Sequence, residues 1–296
     1  MRKNSSKKHG VNSILNRSQS AMEYLMTYGW AILIIAIVLV ALFSLGIFNS
    51  ANFAPRAQPG SCEVLRNSVQ TSLVGQCNGM LPEYVAQFNN GSKLENITIN
   101  NAKELAPSIG SNLTITLWVK PLYTSGFGGV AFTTDPSTAQ IGWQTQFTPT
   151  GTGGTSGWLV SNVSAQGGIW SFMAVKETVG KSASIYLNGD LTAYTTNSAM
   201  VSSTQTATTY LIGTYVTCCQ YKGSLANIQI YNASLSNSSI QALYKEGIGG
   251  APINVNNLMG WWPLNGNAND YSGYGNDGTA ANVTYTSSWT SGYSAP

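Results

Sequence analysis

The chain has one histidine, His9, and eleven acidic residues in 296. Charged residues make up 8% of it, about a third of the share in ordinary soluble domains. Each scarcity excludes a chemistry. A Ser–His or Cys–His system needs an imidazole beside the nucleophile, and the one imidazole lies in a basic N-terminal leader. Glycoside hydrolysis needs two carboxyl groups about 5–10 Å apart, whereas Glu63, Glu83, Glu95, Glu104, Glu177 and Glu246 are scattered singly. The expectation is a chain that is not an enzyme. There are four cysteines and no CxxC pair, which argues against a zinc site.

Positive charge is concentrated at one end. Arg2, Lys3, Lys7, Lys8 and Arg17 fall within the first 18 residues, without an acid among them. The rest of the chain holds nine basic and eleven acidic groups, so the net charge of +3 becomes −2 without the leader. No basic footprint for nucleic acid remains. The leader runs into RSQSAMEYLMTYGWAILIIAIVLVALFSLGIF, Arg17 to Phe48, in which Tyr24–Phe48 carries no charge. As a helix, those residues reach about 37 Å, enough to cross a hydrocarbon core of about 30 Å. Positive charge before the first span keeps that end in the cytoplasm and places the C-terminal bulk outside. The apolar run is longer than that of a secretory signal, and no clear small-x-small cut follows it.

One acid, Glu23, stands just before the apolar run. Gln19-Ser20-Ala21-Met22-Glu23-Tyr24-Leu25 resembles the class III signal peptide of archaeal type IV pilin-like proteins. That family's pattern has Ser third and Leu ninth after the cut; this chain has Ala21 and Thr27 there. The resemblance implies cleavage between Ser18 and Gln19 by a prepilin peptidase. It implies that the apolar helix packs with copies of itself or with other pilin-like subunits in a filament core, Glu23 meeting the new α-amino group of a neighbour. A lone carboxylate at the membrane edge is costly unless paired. The alternative is that Glu23 sits at headgroup level beside Tyr24 and Tyr28 in a membrane-anchored surface protein that does not polymerise.

The remainder is rich in Ser, Thr, Asn, Gly and Tyr. Asn-x-Ser/Thr sequons begin at Asn90, Asn96, Asn112, Asn162, Asn232, Asn237 and Asn282, each a candidate glycan acceptor outside the cell. Cys62 and Cys77 enclose a short loop and are expected to pair in an oxidising compartment. Cys218 and Cys219 are adjacent and either pair with each other or elsewhere.

Runs of 5 to 9 residues with alternating character recur between Gly/Asn/Ser turns: YVAQF (84–88), LTITLWVKP (113–121), GGVAFTT (128–134), WSFMAVKE (170–177), ASIYLNG (183–189), TYLIGTY (209–215) and LANIQIYN (225–232). The pattern predicts a mainly β, antiparallel sandwich. In LTITLWVKP, Leu113, Ile115, Leu117 and Val119 share one face, and Thr114, Thr116 and Trp118 the other. Asn188-Gly189 predicts a hairpin, and SNSSIQALY (236–244) a capped helix. The organisation is a cleaved leader (1–18), a membrane or filament-core helix (19–49), a linker with the Cys62–Cys77 loop (50–80) and a sandwich (81–296).

ITLWVKP, WSFMAVKE, ASIYLNG and GSLANIQIYNASLSNSSIQALYKEG resemble successive pieces of a laminin-G-like, concanavalin A-type jelly roll. GWWPLNGNANDYSGYGNDGTAANVTY (260–285) resembles that family's opening strand but comes last. The arrangement therefore reads as circularly permuted, the C-terminal strand closing beside Tyr84–Phe88; a truncated second copy is the alternative. The resemblance implies glycan binding, sometimes through calcium. Asp270 and Asp277, on a Gly- and Asn-rich loop, are the calcium candidates, although Asp and Asn before Gly also form turns on their own. Trp143, Trp158, Tyr215 and Tyr221 are the aromatics considered for stacking on sugar rings. Trp261 and Trp262 point to opposite faces of one strand, one of them into the core.

Overall fold

The computed structural model describes residues 10–45, 56–89, 94–100, 102, 105, 112–122, 129–131, 140–142, 146–148, 159–178, 180–196, 209–214 and 220–296. The chain forms two compact units, 1–53 and 54–296. The first contains one continuous helix, α1 (Gly10–Ser44). Within it, Met26–Ser44 is long and apolar enough to cross a membrane, with mean hydropathy 2.5. Apolar side chains surround this span on every side, Trp30, Ile34, Val40 and Phe43 among them, and all are exposed. A helix apolar all round belongs in lipid or in a helix bundle.

The second unit is a β-sandwich. Its early strands are β1 (Arg56–Ala57), β2 (Cys62–Arg66), β3 (Thr71–Gly75), β4 (Leu81–Pro82), β5 (Val85–Phe88), β6 (Asn96–Ile99) and β7 (Leu113–Pro121). Next come β8 (Gly129–Ala131), β9 (Gln140–Gly142), β10 (Gln146–Thr148), β11 (Leu159–Val160), β12 (Ser171–Thr178), β13 (Ser182–Leu187), β14 (Asp190–Thr195) and β15 (Tyr210–Ile212). After β16 (Gly223–Tyr231) and helix α2 (Asn237–Lys245), the chain ends with β17 (Leu258–Trp262), β18 (Gly278–Ala281) and β19 (Thr284–Thr286).

The large sheet runs β14-β13-β12-β7-β16-β5-β19, with β17 also on β16. A three-stranded sheet runs β15-β6-β18 and a four-stranded one β11-β10-β9-β8. The inner face of the large sheet, with Leu113, Ile115, Leu117, Met173, Val175, Ile185 and Ile230, forms one core with Ile97, Ile99, Tyr210 and Ile212 of the three-stranded sheet. This is the face that the alternation in LTITLWVKP marks out. The β13–β14 hairpin turns at Asn188-Gly189, whose φ angles of 51° and 84° match the left-handed pair of a type I′ turn. The last strand closes beside β5, with Thr284 opposite Gln87 and Thr286 opposite Val85, where the sequence pattern puts it.

The outer face of the large sheet is covered too. Trp118 on β7 stacks on Tyr244 of α2 at 5.9 Å and meets Phe172 and Tyr293 edge-on. Thr114 donates to the carbonyl of Ala233 and accepts the N–H of Leu235, so even the polar half of this strand is dry. Helix α2 starts where the pattern predicts, its Ser236 hydroxyl accepting the N–H of Ser239, an N-cap that satisfies one of the orphan donors of the first turn. Trp289 closes the covering: its indole donates to the Pro82 carbonyl, and its own carbonyl accepts the indole N–H of Trp170.

Residues 56–80, placed in a linker by composition, contribute strands packed on the sandwich. β1 runs parallel to β4. β2 and β3 form a hairpin closed by the Cys62–Cys77 disulfide, with Cα atoms 5.0 Å apart. Arg66 fastens that hairpin down: it donates to the carbonyls of Ser272, Val255 and Leu258, and its guanidinium lies 4.1 Å from the centre of the Tyr274 ring.

Candidate functional site

The site grows out of an irregularity in β16. Its first residues, Gly223–Leu225, pair with β5, and its later ones, from Ile228, pair with β17. Between them Asn227 is buried in a left-handed conformation, φ 49°, a region that Asn tolerates better than most side chains. Its Nδ2 donates to the Gly250 carbonyl at 2.7 Å. Its Oδ1 accepts the indole N–H of Trp261 at 2.9 Å and Nε2 of Gln229 at 3.0 Å. Its own N–H donates to the Pro263 carbonyl. The strand thus changes partner, and a cleft opens beside the change.

The cleft is shallow, about 30 Å³ in volume, and opens to solvent. One wall is the segment Ala57–Cys62 with Met80 and Pro82; the other is Trp261, Pro263, Asn265 and Tyr271; Asn227, Ile248 and Gly249 form the floor. Asn265 ties the walls together: its Oδ1 accepts the N–H of Tyr84 at 2.8 Å and its Nδ2 donates to the Ala57 carbonyl at 2.6 Å. At the rim Gln58 donates to Glu83 at 2.7 Å. Tyr271 meets Trp261 edge-on, ring centres 6.3 Å apart, and its hydroxyl accepts from Asn267 at 3.0 Å. Trp261 is buried, whereas Tyr271 is partly exposed. The cleft surface is mostly apolar, because Asn227 and Asn265 spend both ends of their amides on the fold.

The loop behind Tyr271 carries the two aspartates singled out above, and the structure brings them together. Oδ1 of Asp270 accepts the N–H groups of Trp261 and Ser272, each at 2.9 Å; Oδ2 accepts the Ser272 hydroxyl at 2.8 Å and the Asn276 N–H at 2.9 Å. The N–H of Asp270 donates to Asp277 at 2.8 Å. Burial raises the Asp270 pKa above the usual carboxylate range, and the bonds from Trp261, Ser272 and Asn276 oppose that rise. Calcium takes six to eight oxygen ligands. Here Asp270 is committed to its own loop, Asp277 is exposed, and no group of three or more metal-binding side chains occurs among the described residues. The pair does not fit a calcium cage as it stands. Its work here is to hold Tyr271 and Trp261 in place.

Other expected positions scatter. Ser18, Gln19 and Glu23 lie along α1 ahead of the Met26–Ser44 span. Asn96 is half-buried, while Asn112, Asn162, Asn232, Asn237 and Asn282 are exposed. Asn90, Cys218, Cys219, Trp143, Trp158 and Tyr215 fall outside the described residues. Tyr221 is a correction: it is fully buried against Phe88, its hydroxyl donating to the Ser224 carbonyl, so it cannot stack on a ligand. Trp261 and Trp262 are both buried, not one alone; Trp262 joins the core and bonds Asn276, and Trp261 backs the cleft.

Residues 91–241 match the profile of the Concanavalin A-like lectin/glucanases superfamily. The chain belongs to that superfamily. No curated protein matches it in sequence. Among solved structures it is similar to a candidate carbohydrate binding protein from Bacteroides ovatus, with TM-score 0.53 and 14% identity over 73% of this chain and 66% of that one. It is also similar to the heptameric SAP-like pentraxin of Limulus polyphemus (TM-score 0.46, 12% identity, 68% of this chain and 94% of that one). A third is the binding domain of Botulinum neurotoxin DC in complex with SialylT (TM-score 0.45, 14% identity, 62% and 51%). The chain spans about two thirds of the Bacteroides protein.

Proposed function

We propose that the sandwich is a non-catalytic carbohydrate-binding domain held outside the cell by the apolar helix, with the Tyr271–Trp261 cleft as its sugar site. The observation that carries this reading is the partly exposed Tyr271 ring beside an apolar cleft, with Gln58 at its rim, in a sandwich of this superfamily. A pyranose has an apolar face that stacks on an aromatic ring and hydroxyls that amides can bond. The acids support binding rather than hydrolysis: Asp270 is spent on its loop, and Glu83 is bonded to Gln58. The disulfide supports an oxidising compartment. The test is a glycan array probed with the full chain in detergent, with calcium and with a chelator. Binding that Tyr271→Ala abolishes supports the reading, and no binding across a broad array overturns it. Calcium-dependent binding lost in Asp277→Asn would bring the ion into the site.

A second reading concerns the helix. A continuous helix that carries Gln19 and Glu23 ahead of an apolar span suits a subunit cut between Ser18 and Gln19 by a prepilin peptidase and packed with copies of itself or other pilin-like subunits into a filament. Mass spectrometry of the mature N-terminus separates this from a permanent anchor: a chain starting at Gln19 supports the filament subunit, and one that retains Met1–Ser18 removes it.

A further inference from the structure

The sequons are equivalent in sequence and unequal in structure. An N-linked sugar is joined to Nδ2, so the amide of an occupied Asn must face solvent in the final fold. It must also be free of bonds that hold the fold together. Asn282 fails this condition at Nδ2, and Asn96 and Asn237 are held through Oδ1. Asn282 adopts φ 57° and donates through Nδ2 to the Leu94 carbonyl at 2.9 Å, fastening β18–β19 to the start of β6. Asn237, at the first turn of α2, is wedged between two donors: its Oδ1 accepts from Lys176 at 3.0 Å and from the Tyr186 hydroxyl at 2.6 Å. Asn96 is half-buried in β6, which has β15 on one side and β18 on the other, and its Oδ1 is bonded to Thr98.

Asn162 and Asn232 differ from these. Both are exposed, and neither side chain makes a hydrogen bond among the described residues. Asn162 is the apex of a tight turn. The Ser161 hydroxyl accepts the Val163 N–H at 3.0 Å and donates to the Val163 carbonyl at 2.7 Å, which leaves the residue between them projecting outward. Val160 and Val163, flanking it in sequence, are about half exposed, an aliphatic surface that a first sugar ring would cover. Asn232 sits just past β16. Its backbone is fixed by the N–H bond to the Asn257 carbonyl at 2.7 Å, and the hydroxyl of its sequon Ser234 is paired with Thr178. The main chain there is rigid and the amide free.

We propose that Asn162 and Asn232 carry N-linked glycans, and that Asn96, Asn237 and Asn282 do not. The donor is an oligosaccharide linked to a lipid phosphate, presented by a membrane transferase. Nδ2 forms a bond to the anomeric carbon, the bond from that carbon to the phosphate oxygen breaks, the lipid phosphate leaves with the electron pair, and one amide proton passes to a base. The assignment rests on the surface reading of the sandwich, not on its sugar binding.

The test is expression of the full chain in a host with an N-glycosylating secretory membrane, followed by peptide mass spectrometry. The expected result is a glycan mass on the Asn162 and Asn232 peptides and bare peptides for Asn96, Asn237 and Asn282. Asn162→Gln and Asn232→Gln should each lower the intact mass by one glycan. Protease added outside whole cells reports export separately. An exported chain bare at Asn162 or Asn232, or one modified at Asn96, Asn237 or Asn282, overturns the assignment. A sandwich retained inside overturns the surface reading and the assignment together.

Discussion

The side-chain oxygen of Asn227 accepts the indole N–H of Trp261 at 2.9 Å, and through this bond the bulge in β16 sets the wall of the cleft. Because Gln229, Gly250 and Pro263 bond the same residue, Asn227→Ala strands several buried polar groups and forces a Cβ residue without local hydrogen bonds to φ 49°. The expected cost is about 2–4 kcal/mol, measured by urea unfolding. Asn227→Gly relieves the backbone but not the lost bonds and should cost less. A change within about 0.5 kcal/mol for the alanine variant would show that the network is dispensable.

Glu177 sets a pH dependence. It is buried on β12, neither carboxyl oxygen has a hydrogen-bond partner among the described residues, and desolvation pushes its pKa up to about 8 from an ordinary 4.5. The folded chain therefore keeps a proton that the unfolded chain has released across the window from pH 4.5 to 8. By linkage, stability is fullest below about pH 4.5, falls as pH rises through that window and levels off above about 8, by an amount of roughly 5 kcal/mol at most. Glu177→Gln should flatten the profile and raise the melting temperature at pH 8. A wild-type stability that is level between pH 5 and 8 would contradict this.

The hairpin β2–β3 has two fastenings, the Cys62–Cys77 bond and Arg66. Replacing both cysteines by serine reopens a loop of sequence separation 15 and should cost about 3 kcal/mol. Arg66→Ala instead removes the guanidinium bonds to the carbonyls of Ser272, Val255 and Leu258. Hydrogen exchange should separate the effects, the arginine variant speeding exchange in β2, β3 and residues 271–274 while the disulfide stays intact. Unchanged exchange in that hairpin would mean that Arg66 does not anchor it.

At the cleft, Tyr271→Ala removes the partly exposed ring but little of the core. The expected loss of sugar affinity is about tenfold or more, equivalent to roughly 1.4 kcal/mol, with an unchanged melting curve. Equal affinity for wild type and variant would place the sugar elsewhere.

Much of this was legible in the sequence where the cause is local. Asn188-Gly189 marks its hairpin because only such residues accept two positive φ angles in a row. The alternation in Leu113–Pro121 marks the inner face of the large sheet, and the Cys62–Cys77 spacing marks the clasp. What was hidden depends on distant partners. The run LANIQIYN looks like an uninterrupted strand, and nothing nearby reveals that Asn227 breaks it to receive Gly250 and Trp261. The outer face of β7 reads as half polar because the covering by α2 and the Trp289 segment comes from the far end of the chain. Tyr221 and Tyr271 look alike in composition; only packing buries the first and leaves the second at the surface.

The pairing of β19 with β5 has a consequence for biogenesis. Val85–Phe88 is made long before Thr284–Thr286, the strand that covers its edge. Contacts this distant in sequence form slowly, and an uncovered strand edge invites pairing with other chains. The sandwich therefore cannot close until Thr286 has been made, and a chain truncated before Thr284 would leave that edge of β5 open to its neighbours.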